Sequence, residues 1–313
     1  PLISYLTSLL YKFFGVRVFL GRVVAIIFSL GSILLYYHFV RLFFKEKVAL
    51  LATFFFSFTP FNVYFSRAFM PESLMIFFSV GMYYYFCLWL KKEKLHILLL
   101  ASIFGALSLL SKPFTIFLWI PMIYLLILKY GKKIFFTPRI WVLLAISFLP
   151  AFFWYAHSEL TLYKHMEPFL GIIISHKFYV RMFITFSFFL TTPIGLPLLF
   201  LGFLLKNNSK EERFFHICIF SLITFLFLNA ARHFVHYNYQ LPFVIVIPVF
   251  MSRGLEYLSN KNFMQENIFS RFARNYNRMI NIIILTLFLM CLISIRPFYN
   301  WNKNTYLSCK YLD

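Results

Sequence analysis

Apolar runs long enough to enter a lipid bilayer recur along the whole of this sequence, with only short polar clusters between them. With 61% hydrophobic and 13% charged residues, a soluble domain of 313 residues could not hide that much apolar surface in one core. Lipid must cover it. The fold class expected is all-α: a polytopic transmembrane helical bundle with about ten spans, an interfacial helix and short outer loops. The spans run roughly over 23–44, 48–65, 73–90, 95–111, 113–128, 140–157, 182–205, 214–231, 238–255 and 279–297. There is no repeat of fixed period and no low-complexity linker, so residues 1–313 read as a single membrane domain. Within it, 1–22 form an interfacial outer segment, 23–297 the bundle and 298–313 an outer tail. The sequence opens on Pro1 with no initiator Met, signal peptide or first hydrophobic span, and is expected to be truncated at its N-terminus and in its tail.

A net charge of +20 would suit a nucleic-acid binder, but the arrangement excludes that class. Nucleic-acid binders gather Lys and Arg on one face or arm, whereas here they sit in short clusters between apolar runs. If the first span runs from outside to inside, 18 of the 30 basic residues fall in inner loops. The internal outer loops keep only Arg67, Lys112, Lys164, Lys177, Arg181 and Arg232. The positive-inside rule thus selects one orientation, and the inner membrane of a bacterium or archaeon is the expected location. Cys87, Cys218 and Cys291 lie inside apolar runs and Cys309 in the tail, with no CxxC. Neither a disulfide framework nor a zinc site is supported.

The outer loops, 59–72, 111–113, 158–181 and 232–237, hold few ionisable groups, and these stand out. Glu72 is a lone carboxylate at the start of an apolar helix, five residues after Arg67. One reading is structural: Pro71 suits the first turn, the helix dipole favours the carboxylate, and Arg67 pairs with it. The other is functional, with Glu72 facing a water-filled cavity and binding an acceptor, a metal or a catalytic partner, since carboxylates at the membrane edge are costly. Lys112 also has two readings. Seventeen residues separate it from Lys94, so a helix between them spans about 25 Å against a core of about 30 Å. Lys112 then either dips to the depth of a lipid phosphate or snorkels from a helix turn.

In NAARHFVHYNYQLPF, Arg232, His233, His236, Tyr237 and Tyr239 cluster where a span begins. Two histidines three apart without a nearby acid fall short of a metal site, so no metal ligand is named, and a divalent-metal cofactor is not supported by the sequence. Phosphate or sugar contact by Arg232, His236 and Tyr237 competes with interfacial aromatic anchoring. The loop 158–181 carries Glu159, Lys164, His165, Glu167, His176, Lys177 and Arg181, and either roofs a site or lines the surface.

The order PLISYLTSLLYKFFG, GRVVAIIFSLGSILLYYHFVRLFF, ALLATFFFSFTPFNVYFSRAFMPESLMIFFS, LSLLSKP, HYNYQLP resembles the C-type polytopic glycosyltransferases over about residues 1–255. The branch it looks most like is the protein O-mannosyltransferase and aminoarabinose-transferase superfamily. The resemblance implies transfer of a sugar from a polyprenyl-phosphate donor to a lipid, glycan or protein acceptor on the outer face of the membrane. It places Glu72 at the family's second acidic position, Arg67 at the basic position before it and Lys112 in a short helical hairpin. It also aligns His236 and Tyr237 with an aromatic-histidine motif. The family's first catalytic acid lies upstream of the opening PL, so this fragment alone is expected to be inactive. The implied reaction is an inverting displacement at the anomeric carbon, with a carboxylate as general base and basic groups stabilising the departing lipid phosphate. No P-loop or GxGxxG occurs. A transporter or flippase of lipid-linked sugars, or a non-catalytic membrane subunit, would share the spans and the outer basic residues.

Overall fold

The computed structural model describes residues 2–157, 169–259 and 276–295. Among the loop residues singled out above, Glu159, Lys164, His165 and Glu167 lie outside the described residues, as do the tail 298–313 and Cys309. The described chain is helical throughout, without a strand.

The order is α1 (Leu2–Phe14), α2 (Val18–Arg41), α3 (Glu46–Phe58), α4 (Pro60–Phe65), α5 (Glu72–Lys92) and α6 (Leu95–Ser111). A 3-10 helix, Pro113–Trp119, leads into α7 (Ile120–Tyr130), and α8 (Pro138–His157) follows. Then come α9 (Phe169–Ile174), α10 (His176–Ile184), a π-helical turn Thr185–Leu190, α11 (Gly195–Leu204), α12 (Arg213–Leu228) and α13 (Ala230–Val235). A second long 3-10 segment, Tyr237–Ile245, precedes α14 (Ile247–Leu258), and α15 (Tyr276–Ile295) closes the described chain.

Over the described residues the expected spans fall largely on helix, but fewer are single, full-length crossings than the ten foreseen. Among the described residues, four helical stretches are long and apolar enough to cross alone: Phe19–Arg41, Glu72–Lys92, Pro113–Phe136 and Pro138–His157. Two bent pairs raise the number to six, while α6, α12 and the 281–293 part of α15 are shorter apolar helices. Proline explains most of the interruptions. Thr59 is extended before Pro60, splitting α3 from α4, because a residue preceding proline avoids the helical region. The stretch 182–205 bends by 96° around Thr191-Thr192-Pro193, where Thr192 takes a left-handed φ of 65°. The stretch 238–255 bends by 48° at Val246, just before Pro248.

Large apolar side chains face outward from the bundle, among them Phe220 (70% exposed), Leu34 (68%) and Phe152 (66%). Such a surface belongs in lipid. This is an integral membrane protein. Its interior is built round α5, which is buried on nearly all sides and packs against α2 and α6. Tyr36 stacks on Phe56 at 4.2 Å, and its hydroxyl donates to the Ile245 carbonyl at 3.0 Å. Tyr83 donates to the Leu118 carbonyl at 2.8 Å. Between helices, Ser79 and Ser108 share a 2.7 Å hydrogen bond, and Ser147 donates to the Ser102 carbonyl. In lipid, where apolar contact drives little association, small residues and such polar contacts hold helices together.

One end of the bundle gathers much of the basic charge. Lys91 donates to the Leu42 carbonyl at 2.6 Å, Lys129 pairs with Glu93, Arg139 reaches the Glu93 carbonyl and Lys47 the Ser259 hydroxyl. Buried Arg253 donates to the Leu205 and Lys206 carbonyls and to the Asn207 amide oxygen, satisfying the groups that α11 leaves open at its C-terminus. Residues 67, 72 and 112 lie at the opposite end of α5 and α6.

Candidate functional site

Three chain segments far apart in sequence meet at Glu72. Its carboxylate occupies the first turn of α5, where the unpaired backbone amides favour negative charge. Lys112 arrives from the turn after α6. Pro113 forces it into extended geometry (φ −153°, ψ 122°), and Thr115 anchors the Lys112 carbonyl through both its backbone amide and its hydroxyl. The Lys112 ammonium lies 3.1 Å from Glu72 Oε1, the two side chains being 20% and 1% exposed. Asn238, at the start of the 3-10 segment Tyr237–Ile245, donates its amide to the same Oε1 at 2.6 Å. The other oxygen, Oε2, is buried and has no hydrogen-bond partner among the described residues.

Lys112 therefore supplies a counter-charge at Glu72. Arg67 is exposed in the turn before α5. Tyr239 joins Lys112 to the later cluster. The Lys112 ammonium lies 5.9 Å from its ring, Arg232 donates to its hydroxyl at 3.3 Å, and the His236 ring is 6.1 Å away. The histidine pair splits because α13 ends at Val235. His236 is extended and exposed, while His233 is fully buried against Phe225 at 4.6 Å. Burial pushes the His233 pKa down to about 3, so it is a neutral ring whose nitrogens have no partner among the described residues. Among the described residues, no three His, Cys, Asp or Glu side chains gather as a metal centre would require.

Tyr237 faces the other way, onto a different part of the surface. The Arg181 guanidinium lies 4.5 Å over its ring and donates to the Val235 carbonyl, while Phe61 and Phe189 pack on the ring's other contacts. A cleft of about 330 Å³ opens here, lined by His176, Lys177, Val180, Arg181, Ile184 and Thr185 with Phe234 and Tyr237. Those first six residues form two adjacent i, i+4, i+8 rows on one helical face.

Of the residues singled out from sequence, Glu72 and Lys112 are in contact, and Tyr239 links Arg232 and His236 to them. Tyr237 belongs to the neighbouring cleft. Sequence reading missed Asn238 and gave Arg181 no role. An uncharged amide gives no electrostatic signal, and its partner lies 166 residues away.

Residues 1–155, from α1 into the last turn of α8, match the family described as dolichyl-phosphate-mannose-protein mannosyltransferase. The match, over just under half of the chain, supports the C-type polytopic glycosyltransferase superfamily. At the level of that family it is a membrane glycosyltransferase. No curated protein matches the chain. Arg67, Glu72 and Lys112 lie inside the matched stretch, and Asn238, Tyr239 and the Arg181 cleft lie beyond it.

Proposed function

We propose that the chain moves a sugar from a polyprenyl-phosphate donor to a lipid, glycan or protein acceptor on the outer face of a bacterial or archaeal inner membrane. The observation that carries this reading is the Glu72 carboxylate, held through one oxygen by Lys112 and Asn238 while the other, though buried, has no partner. Such an oxygen suits an acceptor hydroxyl. Glu72 takes the hydroxyl proton or orients it, and the acceptor oxygen attacks the anomeric carbon. The bond from that carbon to the phosphate oxygen breaks, and the electron pair leaves on the polyprenyl phosphate. The cations Lys112, Arg232 and Arg67, together with His236, meet the phosphate or the sugar beside the carboxylate, and Tyr237 meets the donor from the neighbouring cleft.

The Arg181 cleft supports the lipid part of this reading. It is lined by the basic side chains of His176, Lys177 and Arg181 and by the apolar ones of Val180 and Ile184, the two chemistries that a phosphate on a hydrocarbon tail presents. In the full-length protein, Arg181→Ala is expected to raise the donor KM about tenfold and to change kcat less, because it removes a charge-assisted contact distant from the carboxylate. An unchanged donor KM would take the phosphate out of this cleft.

The test of the whole reading is transfer of a radiolabelled sugar from a polyprenyl-phosphate donor by membranes carrying the protein. Absence of transfer to lipid, glycan and protein acceptors alike would sink it. Orientation is tested separately. Cysteine at Phe69 or Lys177 should react with an impermeant maleimide in intact cells, and cysteine at Lys132 only after permeabilisation; the reverse pattern would turn the site to the cytoplasm. The two bent spans also suit a transporter, but a transporter site belongs midway along its helices, whereas Glu72 opens its helix.

A further inference from the structure

We infer that Asn238 is a positioning residue for Glu72: it fixes the plane of the carboxylate and leaves Oε2 as the oxygen that receives the acceptor's proton. The inference rests on the reading of Glu72 as base and adds to it the choice between the two oxygens. A carboxylate only accepts hydrogen bonds, so the Asn238 group facing it must be the NH2. That amide and the Lys112 ammonium approach the same atom, at 2.6 Å and 3.1 Å. With two donors already on Oε1, a proton arriving at the carboxylate has Oε2 left to bind, and Oε2 has no other partner.

The residue type fits the task. An ammonium or guanidinium at position 238 would add a second positive charge and make Glu72 a weaker base. A neutral amide holds the geometry while changing basicity less. Asn238 is itself held firmly: the following turn is pinned where Gln240, fully buried, donates to the His233 carbonyl at 3.1 Å. One amide therefore ties α5 to the segment that follows α13, and the orientation of the carboxylate depends on that tie.

The experiment uses the full-length protein with a polyprenyl-phosphate-linked sugar donor, comparing wild type, Asn238→Ala, Asn238→Asp and Glu72→Gln. Asn238→Ala is expected to lower kcat about tenfold per folded molecule with the donor KM within about twofold of wild type, as for loss of a hydrogen bond to a charged group. Asn238→Asp puts two carboxylates against one ammonium and should move the acid limb of the kcat–pH profile upward by about one unit or more. The other titratable groups round the site, Lys112, Arg67, Arg232, His233, His236 and Tyr239, are common to both variants. If Glu72→Gln is inactive while both Asn238 variants keep the wild-type kcat and pH profile, the positioning role is wrong and the base reading stands. The positioning role is equally wrong if Asn238→Ala lowers only the amount of folded protein. If Glu72→Gln transfers sugar at the wild-type rate, both readings fall together.

Discussion

Glu72→Gln in the full-length protein is expected to lower turnover by about 10²–10⁴-fold while changing donor affinity little. That is the range for losing a proton-transfer group, and glutamine keeps the shape of the side chain. Lys112→Ala should fail in a different way. It strands a carboxylate that is 1% exposed, and breaking a buried pair by removing one partner costs about 3–5 kcal/mol. The protein then loses stability, and donor binding weakens as a cation leaves the site. The double variant Glu72→Gln/Lys112→Met separates the two consequences. With both charges gone, thermal stability in detergent should return towards wild type, yet transfer should stay lost. If Lys112→Ala alone keeps both wild-type stability and wild-type transfer, the pair is ornamental, and the snorkelling account of Lys112 is the better one.

The second large effect concerns folding. A Cβ built at Gly202 would stand 1.8 Å from the Phe250 carbonyl oxygen, and one at Gly254 would stand 2.2 Å from that of Leu198. Both obstacles are backbone, so no rotamer change relieves them. Here α11 and α14 approach as closely as their main chains allow, which is how glycine is used between membrane helices. Gly202→Val or Gly254→Val must push the two helices apart, and each is expected to cost more than the 1–3 kcal/mol or so typical of an overpacked core. The measurement is the monodisperse fraction on size exclusion and the melting temperature in detergent. A wild-type melting temperature for Gly202→Val would contradict this packing.

Much of the helical architecture was legible because its cause is local. Apolar length marks a membrane helix wherever the chain goes next, and Pro60, Pro193 and Pro248 were in plain view at the interruptions. What a sequence hides is the size of a bend. The 96° turn near Thr192 is a feature of the folded packing, and the proline alone does not give its size. Glu72 and Lys112 stood out because ionised groups are rare and expensive near lipid. Their contact was less visible, since Arg67 is closer in sequence but Pro113 aims Lys112 at the carboxylate. Asn238 and Tyr239 were beyond reach. An amide and a tyrosine near a membrane surface have many ordinary reasons to be there, and only the fold shows what they touch.

The three side chains at the carboxylate are also made at different times. Asn238 follows Lys112 by 126 residues, and at about 5–20 residues per second a ribosome needs on the order of ten seconds to make that stretch. Glu72 and Lys112 are therefore in the membrane together well before the amide exists. An early partner for the acid matters during that wait, because a lone carboxylate among nascent helices would favour slipping back towards water. The ammonium can serve first as an escort for insertion and only later as part of the finished centre. A ribosome stalled between residues 112 and 238 should then hold a nascent chain whose α5 stays inserted with Lys112 present and is extracted more readily with alanine there.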